Sequence, residues 1–267
     1  MTRLLIYLNM YDFGAPMVDL QGIQAGANTT PSCTWVFHPG SNPKDPFDMS
    51  AVIPARALST LQALLTTCAN DIDAGDTITD GTYYFEIHEV LGVPVPAGIM
   101  TPLGSTLMLD LAATYSDFSL KQDVPAGAWL RRIIMLQEDD TGVPLRVDTE
   151  VTGVKLEFPR EAAARIESNW KDLVAEAAIR SGVATTPNAG AAAATSATLG
   201  SIQGNAAFLK GFAIIDLRKY FHPIYGMDLT HYQTGDVKLG LTVAVAAGNL
   251  YIYWDQLQPV EAQYVGK

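Results

Sequence analysis

The sequence predicts a mainly β protein: a jelly-roll sandwich or barrel, with two jelly rolls in tandem and a flanking helix on each. Three observations lead there. Apolar and polar residues alternate with period two in several runs, as in Val154-Lys155-Leu156-Glu157-Phe158. Strand-like runs outnumber helical ones, and Gly, Pro and Asn turns separate them. A helix-period stretch stands between strands in each half, at 54–68 and 160–181.

Composition bounds the possibilities before any motif is read. A chain of 267 residues fits one large β domain or two small ones. Hydrophobic residues make up 48% and charged residues 17%, a balance that fills a core and argues against disorder. The net charge is −11 with only 17 Lys and Arg, and no basic cluster stands out. Nucleic-acid binding needs such a cluster to displace counterions, so a direct nucleic-acid partner is not expected. An anionic membrane surface would repel the chain on average. Cys33 and Cys68 make no disulfide framework and read as small buried hydrophobes. The apolar run near the N-terminus is shorter than the roughly 7–15 residues of a signal-peptide core. No segment reaches the ~18 apolar residues of a membrane span. The expectation is synthesis in a reducing cytoplasm.

In chain order, Leu4–Asn9 and residues 17–24 read as short strands among turn formers, and Cys33–His38 as a compact β segment. Leu58, Leu61, Leu65 and Cys68 share one stripe of a helix over 54–68. Asp71, Asp73 and Asp76 follow, but Asp76 stands where a calcium loop needs Gly and Thr82 where it needs Glu. An ordinary solvated loop is the better reading. Residues 82–90 alternate as a strand that carries His88 on its polar face. The Pro/Gly-rich run 92–104 reads as a boundary that sustains neither helix nor central strand, dividing an N-terminal jelly roll (1–100) from a C-terminal one (101–267).

Two strands divide near Thr114-Tyr115, and Asp123–Gly127 is a turn. Trp129–Gln137 lacks clean alternation and reads as a strand buried on both faces. Arg131 and Arg132 interrupt it, so at least one must face water or find a carboxylate. Glu138–Gly142 is a polar turn. After the strand ending at Phe158, Pro159 opens a helix over 160–181. Its apolar face is Ile166, Trp170, Leu173, Val174 and Ala177, and Gly182 is its stop. Residues 182–206 are small and nearly uncharged, and read as a long binding or assembly loop. Phe208–Leu217 is a strand, followed by an aromatic-rich turn. Val237, Leu239, Leu241, Val243 and Val245 point inward. Gly248-Asn249 turns the chain, and Leu250, Ile252 and Trp254 line the next inner face. Tyr251 and Tyr253 point outward, as an oligomer contact or a sugar platform, with the contact favoured.

No catalytic motif is present: neither a G-x-S-x-G elbow nor a phosphate-cradling glycine loop occurs. His38, His88, His222 and His231 share no metal spacing. A two-His-one-carboxylate set from His222, Asp228 and His231 is weaker than plain loop residues. A cupin-like metal enzyme needs several inward histidines on strands, and only His88 lies on one. No enzyme, no catalytic or metal residue and no cofactor is expected.

In order, GSTLMLDLAATYSDFSLKQ, DVPAGAWLRRIIMLQEDDTG, VTGVKLEFPREAAARIESNWKDLV, FLKGFAIIDLRKY and DVKLGLTVAVAAGNLYIYWDQLQP look like successive barrel strands and a flanking helix. Over about 102–260 this pattern resembles the upright jelly-roll major capsid proteins of tailless icosahedral viruses (phages among them), the double jelly-roll lineage. The resemblance implies a structural protein of the virion. Three chains would form a pseudo-hexameric capsomer, and the shell would be assembled in the host cytoplasm. Its partners would be further copies of itself, neighbouring capsomers, and penton or minor capsid proteins, with an internal membrane allowed beneath the shell. Residues 1–100 show fewer strands than a full jelly roll, so either the first barrel is terse or the chain is a single-barrel relative with an N-terminal elaboration. A β-sandwich binding module, such as a virion spike or a carbohydrate- or protein-binding domain, is the alternative.

Overall fold

The computed structural model describes residues 8–9, 11–13, 18–19, 32–33, 36–45, 48–53, 99–139, 146–158, 166–181 and 210–260. Its strands are β1 (Val18–Asp19), β2 (Ser32–Cys33), β3 (Met100–Asp110), β4 (Tyr115–Asp123), β5 (Trp129–Glu138), β6 (Val151–Glu157), β7 (Ile166–Asn169), β8 (Phe212–Asp216), β9 (Met227–Asp228), β10 (Lys238–Val243) and β11 (Asn249–Pro259). Helix α1 spans Trp170–Ser181, and a short 3-10 turn spans Leu217–Lys219. Leaving out β9, eight strands from β3 to β11 form two antiparallel sheets, ordered β3-β11-β5-β8 and β4-β10-β6-β7. In barrel order these are first-eighth-third-sixth and second-seventh-fourth-fifth, which is a jelly roll. The fold is mainly β, as expected.

Alternation explains the core. Leu250, Ile252 and Trp254 of β11, Ile133 and Met135 of β5, and Leu239, Leu241 and Val243 of β10 point between the sheets. There they meet Val154 and Leu156 of β6. Gln137 also points inward, and its amide bonds both backbone groups of Val151 in the opposite sheet. Strand β5 is buried on its other face as well: Ile134 and Leu136 pack with Phe212 and Ile214 of β8, beneath Ala177 and Ala178 of α1 and Leu8 and Tyr11. That second burial removes the period-two signal from β5.

Several expectations need correction. Strand β3 begins inside the Pro/Gly run, at Met100. It holds Pro102 because, among the described strands, it pairs only with β11, and an edge strand tolerates a residue without an N–H. The helix begins at Trp170, not near 160. Ile166–Asn169 pair with β6 from Leu156 to Gly153. Ile, Ser and Asn are weak helix formers, and the ladder offered by β6 decides the conformation. Trp170, Leu173 and Ala177 are buried as predicted, whereas Ile166 is a strand residue. Leu8, Asn9 and residues 11–13 are helical, where a strand was expected over 4–9. Val245 is exposed, because β10 ends at Val243 and the chain turns there. Residues 36–38 carry no regular structure, where a β segment over 33–38 was expected. The helix over 54–68, the aspartate loop, the 82–90 strand with His88, Cys68 and the 182–206 loop lie outside the described residues. Most of a first barrel over 1–100 lies outside them too.

On the outer face of the second sheet, Asp117 and Phe118 adopt left-handed φ values of 48° and 56°. Thr242 Oγ1 accepts from the Phe118 N–H at 3.1 Å. The ring lies over two glycines: a Cβ on Gly240 would stand 3.0 Å from the Phe118 Cβ, and one on Gly153 would stand 2.9 Å from its ring. Gly240→Ala is therefore expected to displace Phe118 and destabilise the fold by about 1–3 kcal/mol, read as a lower urea midpoint. An unchanged midpoint would show that the Phe118 stack contributes nothing.

Candidate functional site

The most concentrated polar feature among the described residues lies on the outer face of the β3-β11-β5-β8 sheet, where six charged side chains gather against the N-terminal segment and its Asp12. Its origin is a register fault. Arg132 pairs with Asp255 and Leu130 with Gln256, so Arg131 is an extra residue, a β-bulge. Strict alternation from inward Leu130 would turn Arg132 into the barrel. The bulge leaves both arginines on the outer face, opposite a single aspartate.

Asp255 accepts from Arg131 Nε and Nη2 at 3.0 and 2.9 Å and from Arg132 Nε at 2.6 Å. The remaining donors reach the N-terminal segment. Arg131 Nη1 donates to the carbonyls of Pro39 and Gly40, both at 2.9 Å, and Arg132 Nη1 donates to Asp12 Oδ1 at 2.7 Å. Beside them, Asp216 of β8 accepts from Arg218 Nε and Nη2, both at 2.8 Å, and from Arg180 Nη1 at 3.1 Å. Arg218 Nη1 donates to the Ser41 carbonyl at 2.8 Å. The segment is itself braced, because the Asn9 amide bonds both backbone groups of Val36.

The electrostatics follow from this geometry. Burial opposes ionisation of Asp255, but Arg132 and then Arg131 overcome it and hold the carboxyl well below the usual carboxylate range. Burial also opposes the charge on Arg132, and Asp12 and Asp255 hold it charged regardless. For Asp216, burial is likewise outweighed, here by the hydrogen bond and charge of Arg218. The arrangement is a clamp of paired charges.

Tyr251 and Tyr253 do point away from the barrel core, but they pack against the cluster of Leu8, Tyr11 and α1 residues. The chain's own segments therefore occupy the sugar-platform position. Burial, and then the charge of Asp255, push the Tyr253 phenol up to about 12. A folded-state pKa above the unfolded value of about 10 means that this group's contribution is complete below pH 10 and is lost as pH rises toward 12. Ultraviolet difference titration should thus show a tyrosine component that ionises only as the fold fails, and Tyr253→Phe should diminish that component, leaving the part due to Tyr11, whose phenol burial also pushes up.

His222 serves a turn. His222 Nδ1 accepts from the N–H groups of Ile224 and Tyr225, and its ring stacks on Tyr225 at 4.9 Å. Asp228 accepts from the Thr230 N–H and hydroxyl. Among the described residues no three His, Cys, Asp or Glu side chains converge to hold a metal ion. Sequence reasoning asked that one of the arginine pair face water or find a carboxylate, but could not name Asp255, because the bulge register joins positions over a hundred residues apart.

By strand order this is a jelly-roll protein. Two solved structures are similar to it: the STIV MCP, with TM-score 0.40 and 20% identity over 60% of this chain and 41% of that one, and the structure of Sulfolobus turreted icosahedral virus, with TM-score 0.43 and 19% identity over 62% of this chain and 43% of that one. The chain spans about two fifths of the length of each, 41% and 43%. No family model and no curated protein matches the sequence.

Proposed function

We propose that this chain is a major capsid protein of the upright double jelly-roll lineage. Three copies would form a pseudo-hexameric capsomer of an icosahedral shell. The carrying observation is the strand order among the described residues of 100–260: eight barrel strands in jelly-roll sequence, with α1 between the fifth and sixth. The capsid resemblance implies this order of elements except for β7, which stands between β6 and the helix. Fold alone hosts many functions, so the reading stands or falls on assembly. In it, residues 1–100 form the first barrel and 101–267 the second, and the arginine clamp ties the start of the first to the wall of the second. The partners are copies of the same chain, neighbouring capsomers, and penton or minor capsid proteins, with a membrane beneath the shell. The protein belongs to a virion, a phage among the candidates, after assembly in the host cytoplasm, and it needs no cofactor and performs no catalysis.

The test is the mass of the purified full-length protein by light scattering, followed by particle imaging. A trimer, and closed shells at higher concentration, are expected. A monomer that persists at high concentration in every salt tried sinks the proposal.

A further inference from the structure

The connection between β8 and β9 carries an unusual load. Its sequence is Tyr220-Phe221-His222-Pro223-Ile224-Tyr225, and three of its apolar residues face water: Tyr220 is 56% exposed, Phe221 40% and Ile224 37%. This is not a loose loop. The N–H groups of Tyr220 and Phe221 both bond the Leu217 carbonyl, and His222 and Gly226 exchange both backbone bonds at 3.0 and 2.8 Å. The His222 ring is fixed between Tyr225 and Trp129, its centroid 5.8 Å from that of Trp129 in an edge contact. Gly226 allows the return, with φ +78° and no room for a Cβ, which would stand 2.3 Å from the Leu130 carbonyl oxygen.

Beside this knob lies an open cleft of about 340 Å³, lined by Arg180, Asp216, Arg218, Lys219 and Pro223. Three cations there share Asp216 and Glu176: Arg180 and Arg218 on Asp216, Lys219 on Glu176. The cleft is therefore locally positive on a chain whose net charge is −11. Rigid aromatic groups flanked by arginine have the composition of an interface centre, because ordering them on binding forfeits little entropy.

We propose that this knob and cleft form a contact between copies of the chain, in which the cleft receives a carboxylate-bearing surface of a second copy and the knob supplies its apolar centre. Charge complementarity selects the occupant. The chain is acidic overall, and this cleft carries three of its cations, so an acidic second copy is of complementary charge to it. The inference rests on the capsid reading and adds which surface makes the contact.

The experiment compares the unaltered full-length protein with Tyr220→Ser/Ile224→Ser, with Lys219→Gln, and with the control Met108→Ser/Val245→Ser, whose apolar side chains are exposed elsewhere. Light scattering reads assembly and circular dichroism reads the melt. Assembly weakened about tenfold or more in the knob variant, and weakened by Lys219→Gln with a reduced dependence on salt, is expected, with the control and the melts unchanged. A knob variant that assembles like the unaltered protein overturns the contact and leaves the capsid reading standing, as does a control equally impaired. An unaltered protein that never assembles overturns both. Should the knob variant fail to fold, amide exchange on the unaltered protein decides: residues 217–226 must gain protection on assembly, and no gain overturns the proposal.

Discussion

Asp255→Ala should be among the most damaging single changes to this molecule, at about 3–5 kcal/mol, because it leaves two buried guanidinium groups without their shared counter-charge. Asp255 takes three of the donors of Arg131 and Arg132. Asp12 and the Pro39 and Gly40 carbonyls remain but cannot replace it, since they lie on the segment that the arginines hold in place. The expected result in chemical denaturation is a large fall in midpoint. Limited proteolysis should then cut among residues 8–50 before the barrel unfolds. If instead the N-terminal segment and the barrel are lost together with a small change in midpoint, the clamp is not the joint described here. The pH dependence follows from the same groups. Asp255 and Asp216 have folded-state pKa values below those of the unfolded chain. Their stabilisation is therefore complete above the unfolded carboxylate value of about 4 and is lost as pH falls below it. Acid should weaken the unaltered protein more than Asp255→Ala.

The second large effect belongs to Trp170, the first residue of α1. It is fully buried in the main core, and its indole N–H donates to Asp148 Oδ1 at 3.0 Å. The same oxygen accepts from the Gly211 N–H at 2.7 Å, where β8 is about to begin. Trp170→Ala is expected to cost about 3–5 kcal/mol through cavity formation and the lost hydrogen bond. Trp170→Phe keeps most of the volume and should recover more than half of that. Equal losses in the two variants would mean that the Asp148 bond matters more than the packing.

These two residues also mark where the sequence is legible and where it is not. Trp170 announced itself by spacing, because a helix side chain meets its neighbours three and four positions away. The same rule misled at Ile166, whose spacing from Trp170 fits a helix while its backbone completes a ladder with β6. Periodicity reports which face is buried, not which secondary structure buries it. The strands with one wet face, β6 and β10, could be read directly. The double burial of β5 could be read as a loss of alternation, though not what covers the second face. The cover is Leu8, Tyr11 and α1, far away in the chain. Tyr251 and Tyr253 likewise look free until that cover is in place. The clamp was half legible: of two adjacent arginines in an apolar strand one must face water or find a partner, but the bulge that aims both at one carboxylate is a property of paired strands.

The pairing of β11 has a consequence for how the molecule is made. The last barrel strand lies between β3 and β5, in continuous register with β3 from Asn249↔Asp110 to Pro259↔Met100. During synthesis, neither of those strands can find this neighbour until residues 249–259 have emerged. Both must wait with open edges, the situation in which β proteins misassemble. The contacts are also distant in sequence, so the closing step is intrinsically slow. Insertion of β11 is thus the committing event of folding, and it delivers Asp255 to the waiting arginines in the same movement. A chain that stops short of β11 lacks both the keystone strand and the charge that fastens the N-terminal segment, so barrel closure and the fastening of that segment come together.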